Sequence, residues 1–368
     1  MQNKKRVFVA VTNDVSTDQR VHKVCTYLIN KGFDVIVYGR VLPNTIDVDR
    51  TYTIHRTKHW FNHNFLFYAE YNLRLFFFLL FKKYDYILSN DLDTLTACFV
   101  SSKLKSKTSL VYDSHELFSE GPELQGRNFV KGFWKKLEDL FLPRIKRSYT
   151  VSQSIVDFYN DRYKNNMGLI RNLPLLDRKI KIEDVSFPTQ NKVVLYQGVL
   201  NPGRGIKPMI KALHFLEGVD LVIIGYGKVE EELRGFVSAE QLENRIHFLG
   251  RIAHEVLPNY TVKADVGMVL EEPLGKSFEY SLPNKLFDYI HAELPIVSGN
   301  LIEINRIVKT YKVGVAVESY DPEDIANAVR NVLENDSLRK EIKENQRIAK
   351  AELCWEKEEK KLDKYFLN

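Results

Sequence analysis

Short, strongly apolar segments return along the whole chain, separated by amphipathic stretches, and this rhythm constrains the fold more than any other feature. In the first half the segments are "RVFVAVT" (6–12), "DVIVYG" (34–39), "YDYILSN" (84–90), "SLVYDSH" (109–115) and the start of "SYTVSQSIVDFY" (148–159). In the second half they are "KVVLYQG" (192–198), "DLVIIGYG" (220–227), "RIHFLG" (245–250), "DVGMVL" (265–270), "LPIVSG" (294–299) and "VGVAVE" (313–318). Apolar runs alternating with helical patterns such as "DQRVHKVCTYLINKG" (18–32) make parallel sheets covered by helices on both faces. In that helix Asp18 is the expected cap and Gly32 the stop. At 368 residues the chain exceeds one ordinary core. Between the two series, "LPLLDRKIKIEDVSFPTQN" (173–191) is bounded by proline, charged and aperiodic, as a linker would be. The expectation is α/β: two doubly wound, Rossmann-like domains facing across a cleft, with ligand loops at the carboxyl ends of their strands.

Three scattered cysteines, Cys25, Cys98 and Cys354, fit a reducing compartment and argue against a disulfide framework or a cysteine metal site. No apolar stretch near the start is long enough for a signal peptide. The longest apolar tract, "FLFYAEYNLRLFFFLLF" (65–81), is interrupted by Glu70, Asn72 and Arg74 and makes a poor membrane span. These features lead to an expected cytoplasmic location. Charge is unevenly shared: residues 1–172 hold 26 Lys and Arg against 17 Asp and Glu, residues 173–368 hold 27 against 31. A basic first half suits a negatively charged partner such as a phosphate or a lipid headgroup. No nucleic-acid recognition motif is present, so that partner class is not expected. Residues 65–83 and "FVKGFWKKLEDLFLPRIKR" (129–147) mix Phe and Trp with Lys and Arg. The mixture suits a helix lying on the inner face of an anionic membrane, and equally a core helix with a solvated rim.

The stretch "SLPNKLFDYIHAELPIVSGN" (281–300) bears most directly on chemistry. Lys285 and Asp288 are three apart and share a helical face, and Pro283 suits a first helical turn. A cation and a carboxylate beside a helix N-terminus can take an anion that carries hydroxyls, as a nucleotide diphosphate does. Alone, the stretch fits a surface ion pair on a capped helix equally well.

Taken together, "VVLYQGVLNPGRGI", "VIIGYG", "IHFLGRI" and "LPNKLFDYIHAELPIV", in this order, resemble a retaining glycosyltransferase of family 4 with the GT-B fold. "DQRVHKV", "NDLDT" and "VYDSHELF" resemble one bacterial branch of it, and "WEKEEKKL" resembles the C-terminal helix that crosses back to the first domain. The implied division is 1–172 plus 352–368 on the acceptor side, a linker at 173–191, and a nucleotide-sugar domain at 192–351. The resemblance implies transfer of a sugar from a UDP- or GDP-sugar to a glycan or lipid-linked acceptor, in cell-surface polysaccharide synthesis, without a metal or other cofactor. The departing diphosphate needs positive charge, for which Arg204 and Lys285 are the candidates. Gly198, Gly203, Gly205, Gly225 and Gly227 would let backbone approach the donor, with Arg251 and Asn284 nearby and Asp288 on the ribose. His115 would face sugar and acceptor as a neutral imidazole, and Asp18, Arg20, Asp113 and Glu116 are acceptor-side candidates. The sequence departs from the family pattern in four places. Tyr280 stands where a first glutamate is usual, leaving Glu271, Glu272 and Glu279 as substitutes, and Asp288 stands where the second is usual. Val199 follows Gly198 where an arginine is usual, and Arg204 sits where a lysine is common. The D-x-D in "NDLDT" (90–94) reads as a loop or helix cap rather than a metal site. A nucleotide-sugar epimerase on the same plan, or a non-catalytic nucleotide-sugar-binding partner, are the alternatives.

Overall fold

The computed structural model describes residues 4–43, 45–121, 124–178 and 180–367. The chain divides into two compact units, residues 1–172 with 359–368, and residues 173–358.

In the first unit seven strands form one parallel sheet: β1 (Arg6–Ala10), β2 (Asp34–Arg40), β3 (Thr53–Thr57), β4 (Tyr86–Asn90), β5 (Ser109–Ser114), β6 (Ser148–Thr150) and β7 (Gly168–Leu169). Their order is β3-β2-β1-β4-β5-β6-β7. β1 and β4 are buried along nearly their whole length, as expected of central strands covered on both faces. The chain order reverses between β1 and β4, so the loops after these strands diverge and leave a crevice at their carboxyl ends. The sequence reading missed β3 and β7. "TIHRT" is a half-exposed edge strand without alternation, and β7 has only two residues.

The second unit repeats the plan with β8 (Lys192–Gln197), β9 (Val219–Ile224), β10 (Ile246–Gly250), β11 (Val266–Val269), β12 (Ile296–Ser298) and β13 (Gly314–Ala316). The order is β10-β9-β8-β11-β12-β13, again all parallel, with the reversal between β8 and β11. One core layer gathers Tyr196, Ile210, Leu221, Ile223 and Val329, and the other Leu195, Val222, Phe287, Ile304 and Val308. Successive strand residues thus serve opposite faces. The segment read as a linker carries no helix or strand among its described residues and belongs to the second unit.

The C-terminal stretch is not one continuous helix. Single turns at Trp355–Glu358, Glu359–Leu362 and Asp363–Phe366 follow one another, and the last two belong to the first unit. There Phe366 packs edge-on against Phe33, and the Tyr27 hydroxyl donates to Asp363 at 2.5 Å.

Candidate functional site

In the second unit the site grows from the end of β8. The backbones after β8 and β9 approach so closely that a Cβ on Gly225 would overlap the Gly198 carbonyl, and both residues hold positive φ (151° and 142°). Only glycine meets both demands. The helix Asn284–His291 follows Pro283, which is its N-cap rather than its first helical residue. The helix brings Lys285 to Gly198: a Cβ on that glycine would stand 3.5 Å from Lys285 Cε.

Lys285 is buried. Its Nζ lies 2.9 Å from Glu271 Oε1 and 4.0 Å from the centre of the Tyr196 ring. Arg204 reaches the same carboxylate oxygen at 3.4 Å, with its guanidinium over the Phe278 ring. Glu271 is fully buried just past β11, and its Oε2 has no hydrogen-bond partner. Two cations on one buried carboxylate leave a net charge of +1 and an unused acceptor. Burying Lys285 without such a partner would be expensive. Neighbouring Glu272 accepts the Gly205 amide at 3.0 Å and so closes the turn in which Arg204 sits.

Asp288 points elsewhere. Its carboxylate accepts from Arg178 at 3.2 Å and from Gln197 Nε2 at 3.4 Å. Gln197 accepts in turn from the Thr261 hydroxyl, and Arg178 donates to the His254 carbonyl at 2.7 Å. Arg178 and Glu271 are the residues that sequence reasoning placed least well. Arg178 lay in a stretch with no periodicity to point to it, and Glu271 was one of three interchangeable glutamates. Gly203 holds positive φ against Phe278, and Gly227 abuts the Leu200 carbonyl. Arg251 is exposed over the Tyr226 ring, and Asn284 opens its helix exposed.

In the first unit a second polar cluster occupies the carboxyl ends of β1, β4 and β5. Asp113 is fully buried and takes Arg20 in a fork, at 3.0 Å from Nε and 2.7 Å from Nη2. Arg20 also donates to the Ile170 carbonyl. Arg20, one of the acceptor-side candidates, thus has its guanidinium buried and held by Asp113 and the Ile170 carbonyl. Asp18 caps its helix, accepting the Val21 amide at 2.9 Å, and takes Asn13 on its other oxygen. Glu116 is exposed on the loop after β5.

His115 is held between carboxylates, with Nδ1 3.3 Å from Asp91 and Nε2 3.4 Å from Asp113 and 3.1 Å from Asn90 Oδ1. Burial opposes its charge, but Asp91 and Asp113 outweigh burial and lift its pKa to about 9. The two carboxylates thus favour the charged imidazole at this crevice over the neutral form that the resemblance implied. Asp91 takes a left-handed backbone conformation (φ 57°) and also accepts the His115 amide at 2.7 Å, so the D-x-D opens a helix and orients the histidine. Among the described residues no group of three or more His, Cys, Asp or Glu is placed to hold a metal ion.

Asp93 is buried and accepts the Thr12 hydroxyl at 2.5 Å, while its Oδ1 has no partner. Burial first, then the nearby Asp91 charge, raises its pKa to about 7. An acid whose folded pKa lies above its unfolded value near 4 loses stabilisation as pH rises between the two. Asp93→Asn keeps the acceptor for Thr12 and removes the titration. The variant is therefore expected to melt several degrees higher than the parent at pH 8 and to match it at pH 4, as calorimetric scans at the two pH values would show.

The comparisons with known proteins follow the same two-part division. Residues 18–172 match the family model Glycosyltransferase Family 4, and residues 177–349 match Glycosyl transferases group 1. The chain is a glycosyltransferase of the GT-B type. Among relatives of this glycosyltransferase, an uncharacterized glycosyltransferase of Methanocaldococcus jannaschii is 23% identical over 286 residues, 73% of this chain and 70% of that protein. Sucrose-phosphate synthase from Thermosynechococcus elongatus has the same fold, with a TM-score of 0.84 at 16% identity over 99% of this chain and 98% of that one. HepE of Anabaena, solved with UDP-glucose, gives 0.74 at 15% identity over 98% of each chain.

Proposed function

We propose that this glycosyltransferase moves a sugar from a nucleotide-diphosphate sugar to a hydroxyl of a glycan or lipid-linked glycan, with retention at the anomeric carbon and without a metal ion. The observation that carries this reading is the convergence of Lys285 and Arg204 on buried Glu271 at the carboxyl end of the second sheet. A strand end of a doubly wound sheet is where such folds take ligands, and two cations there suit a diphosphate. Asp288, held by Arg178 and Gln197, would accept from the ribose hydroxyls. HepE, which shares the fold, was solved with UDP-glucose, and that supports a uridine nucleotide as the first to try.

In the proposed reaction the bond from the anomeric carbon to the β-phosphate oxygen breaks while the acceptor oxygen forms its bond on the same face. The acceptor proton passes to the departing phosphate. Lys285 and Arg204 stabilise the charge that grows on that phosphate, a contribution that exists mainly in the transition state. His115 supplies fixed positive charge in the first unit, on the side assigned to the acceptor. The inner face of the membrane is the proposed place of action.

Titration of UDP and of GDP by calorimetry in EDTA tests the donor site. Micromolar binding of one nucleotide, lost in Lys285→Ala and Asp288→Ala, is the expected outcome. Absence of binding by the parent protein, with or without manganese, would overturn the assignment. Binding with no transfer to any hydroxyl acceptor would favour the epimerase or non-catalytic alternatives.

A further inference from the structure

The helix Asn64–Leu80 is apolar on both sides. Phe67, Tyr71, Leu75 and Leu79 recur every four residues and are buried in the first unit's core. The opposite side repeats the spacing: Phe65, Ala69, Leu73, Phe77 and, just past the helix, Phe81 are exposed, with Phe65 63% accessible, Phe77 50% and Phe81 81%. A helix on the surface of a sheet ordinarily turns polar residues outward. The apolar strip continues sideways. The Phe65 ring meets Phe133 of the helix Asn128–Phe141 at 5.8 Å, and Phe129 at the start of that helix is 89% exposed. Contiguous apolar surface of this extent marks an interaction site.

The charges decide what the strip meets. Lys82, next to Phe81, lies over the Phe78 ring at 4.2 Å, and Lys103, on the helix Asp91–Leu104 that packs against Asn64–Leu80, lies over the Phe99 ring at 5.2 Å, both exposed. The acids nearby are engaged: Glu70 accepts the Trp60 and Phe61 amides and pairs with Arg74, and Asp139 pairs with Arg162. No helix among the described residues is long and apolar enough to cross a membrane. Aromatic and leucine side chains framed by ammonium groups match the boundary between acyl chains and anionic headgroups.

We propose that the outer side of Asn64–Leu80, extended by the start of Asn128–Phe141, lies on an anionic lipid bilayer. The inference deepens the inner-membrane part of the proposed function but does not depend on the donor site, because vesicle capture needs neither nucleotide nor acceptor. The test is flotation of the full chain with phosphatidylcholine vesicles and with vesicles containing one third phosphatidylglycerol, alongside light scattering without lipid. Capture by the anionic vesicles alone is expected. It should fall about tenfold in Phe77→Ser/Phe81→Ser, and in Lys82→Glu/Lys103→Glu, whose apolar strip is intact. These side chains are solvent-facing, and an unchanged melting temperature will show that the variants fold. Capture by neither vesicle overturns the proposal, and so does equal capture by both. A dimer that Phe77→Ser/Phe81→Ser dissociates, seen without vesicle capture, assigns the face to a second copy and overturns it too. Nucleotide binding measured on the same variants tells a failed membrane site from a failed donor site.

Discussion

Alanine at Lys285 is expected to lower kcat/KM for sugar transfer about a thousandfold, the upper end of what one electrostatic donor at a developing charge is worth. Two effects combine. The phosphate loses its buried cation, and Glu271 keeps a full negative charge opposite only Arg204 at 3.4 Å. Deprived of its nearer cation, the carboxylate cancels Arg204 and leaves no spare positive charge for the diphosphate, and its weaker pairing burdens the fold, so the same variant should melt lower. Lys285→Ala/Glu271→Gln separates the two effects. Removing the stranded charge should return most of the melting temperature, because the loss came from breaking a buried pair rather than from lacking one. It should not return transfer beyond roughly tenfold, because the cation is still missing. Steady-state kinetics with saturating acceptor, beside thermal scans of the single and double variants, measure both. If transfer recovered fully in the double variant, Lys285 would serve only to neutralise Glu271, and the donor role assigned to it would fail.

Glu271 also shows where sequence reading stopped. The helix 284–291 was legible because Pro, Lys and Asp sit at spacings that a helix converts directly into geometry. The partner of Lys285 was not, because it comes from the end of another strand. Nothing local distinguishes Glu271 from Glu272 one residue later, yet the first is buried against two cations and the second closes a loop through the Gly205 amide. Strand ends alternate faces, so one residue of register decides the role. The central strands were legible because burial on both faces gives unbroken apolar runs. β3 was not, since an edge strand answers to its neighbour's hydrogen bonds more than to its own composition. Lys285 and Asp288 do both face the end of β8, but Arg178, fixed from a segment without secondary structure, orients the carboxylate. The same limit applies to His115. Its type and place suggested a neutral imidazole, and only the fold brings Asp91 and Asp113 against its two nitrogens.

Replacing Asp113 by alanine should cost about 3–5 kcal/mol of stability, the range for removing one partner of a buried ion pair. Arg20 is 4% exposed and would keep only the Ile170 carbonyl among the acceptors that now hold it. Removing both partners as Arg20→Met/Asp113→Leu should recover only part of that loss, because His115 also depends on Asp113. The dependence is visible in pH. A histidine whose pKa is near 6.5 unfolded and about 9 in the fold stabilises fully below pH 6.5, and the stabilisation fades as pH rises through 9. Stability of the parent should therefore decline from neutral pH toward pH 9, by an amount on the order of 2–3 kcal/mol before other groups contribute. His115→Asn should start lower at pH 6 and flatten that decline. Denaturant titrations at pH 6, 7.5 and 9 on the parent and this variant would measure the difference. A parallel shift of both curves with pH, at constant separation, would mean that His115 does not carry the charge its two carboxylate neighbours are placed to hold.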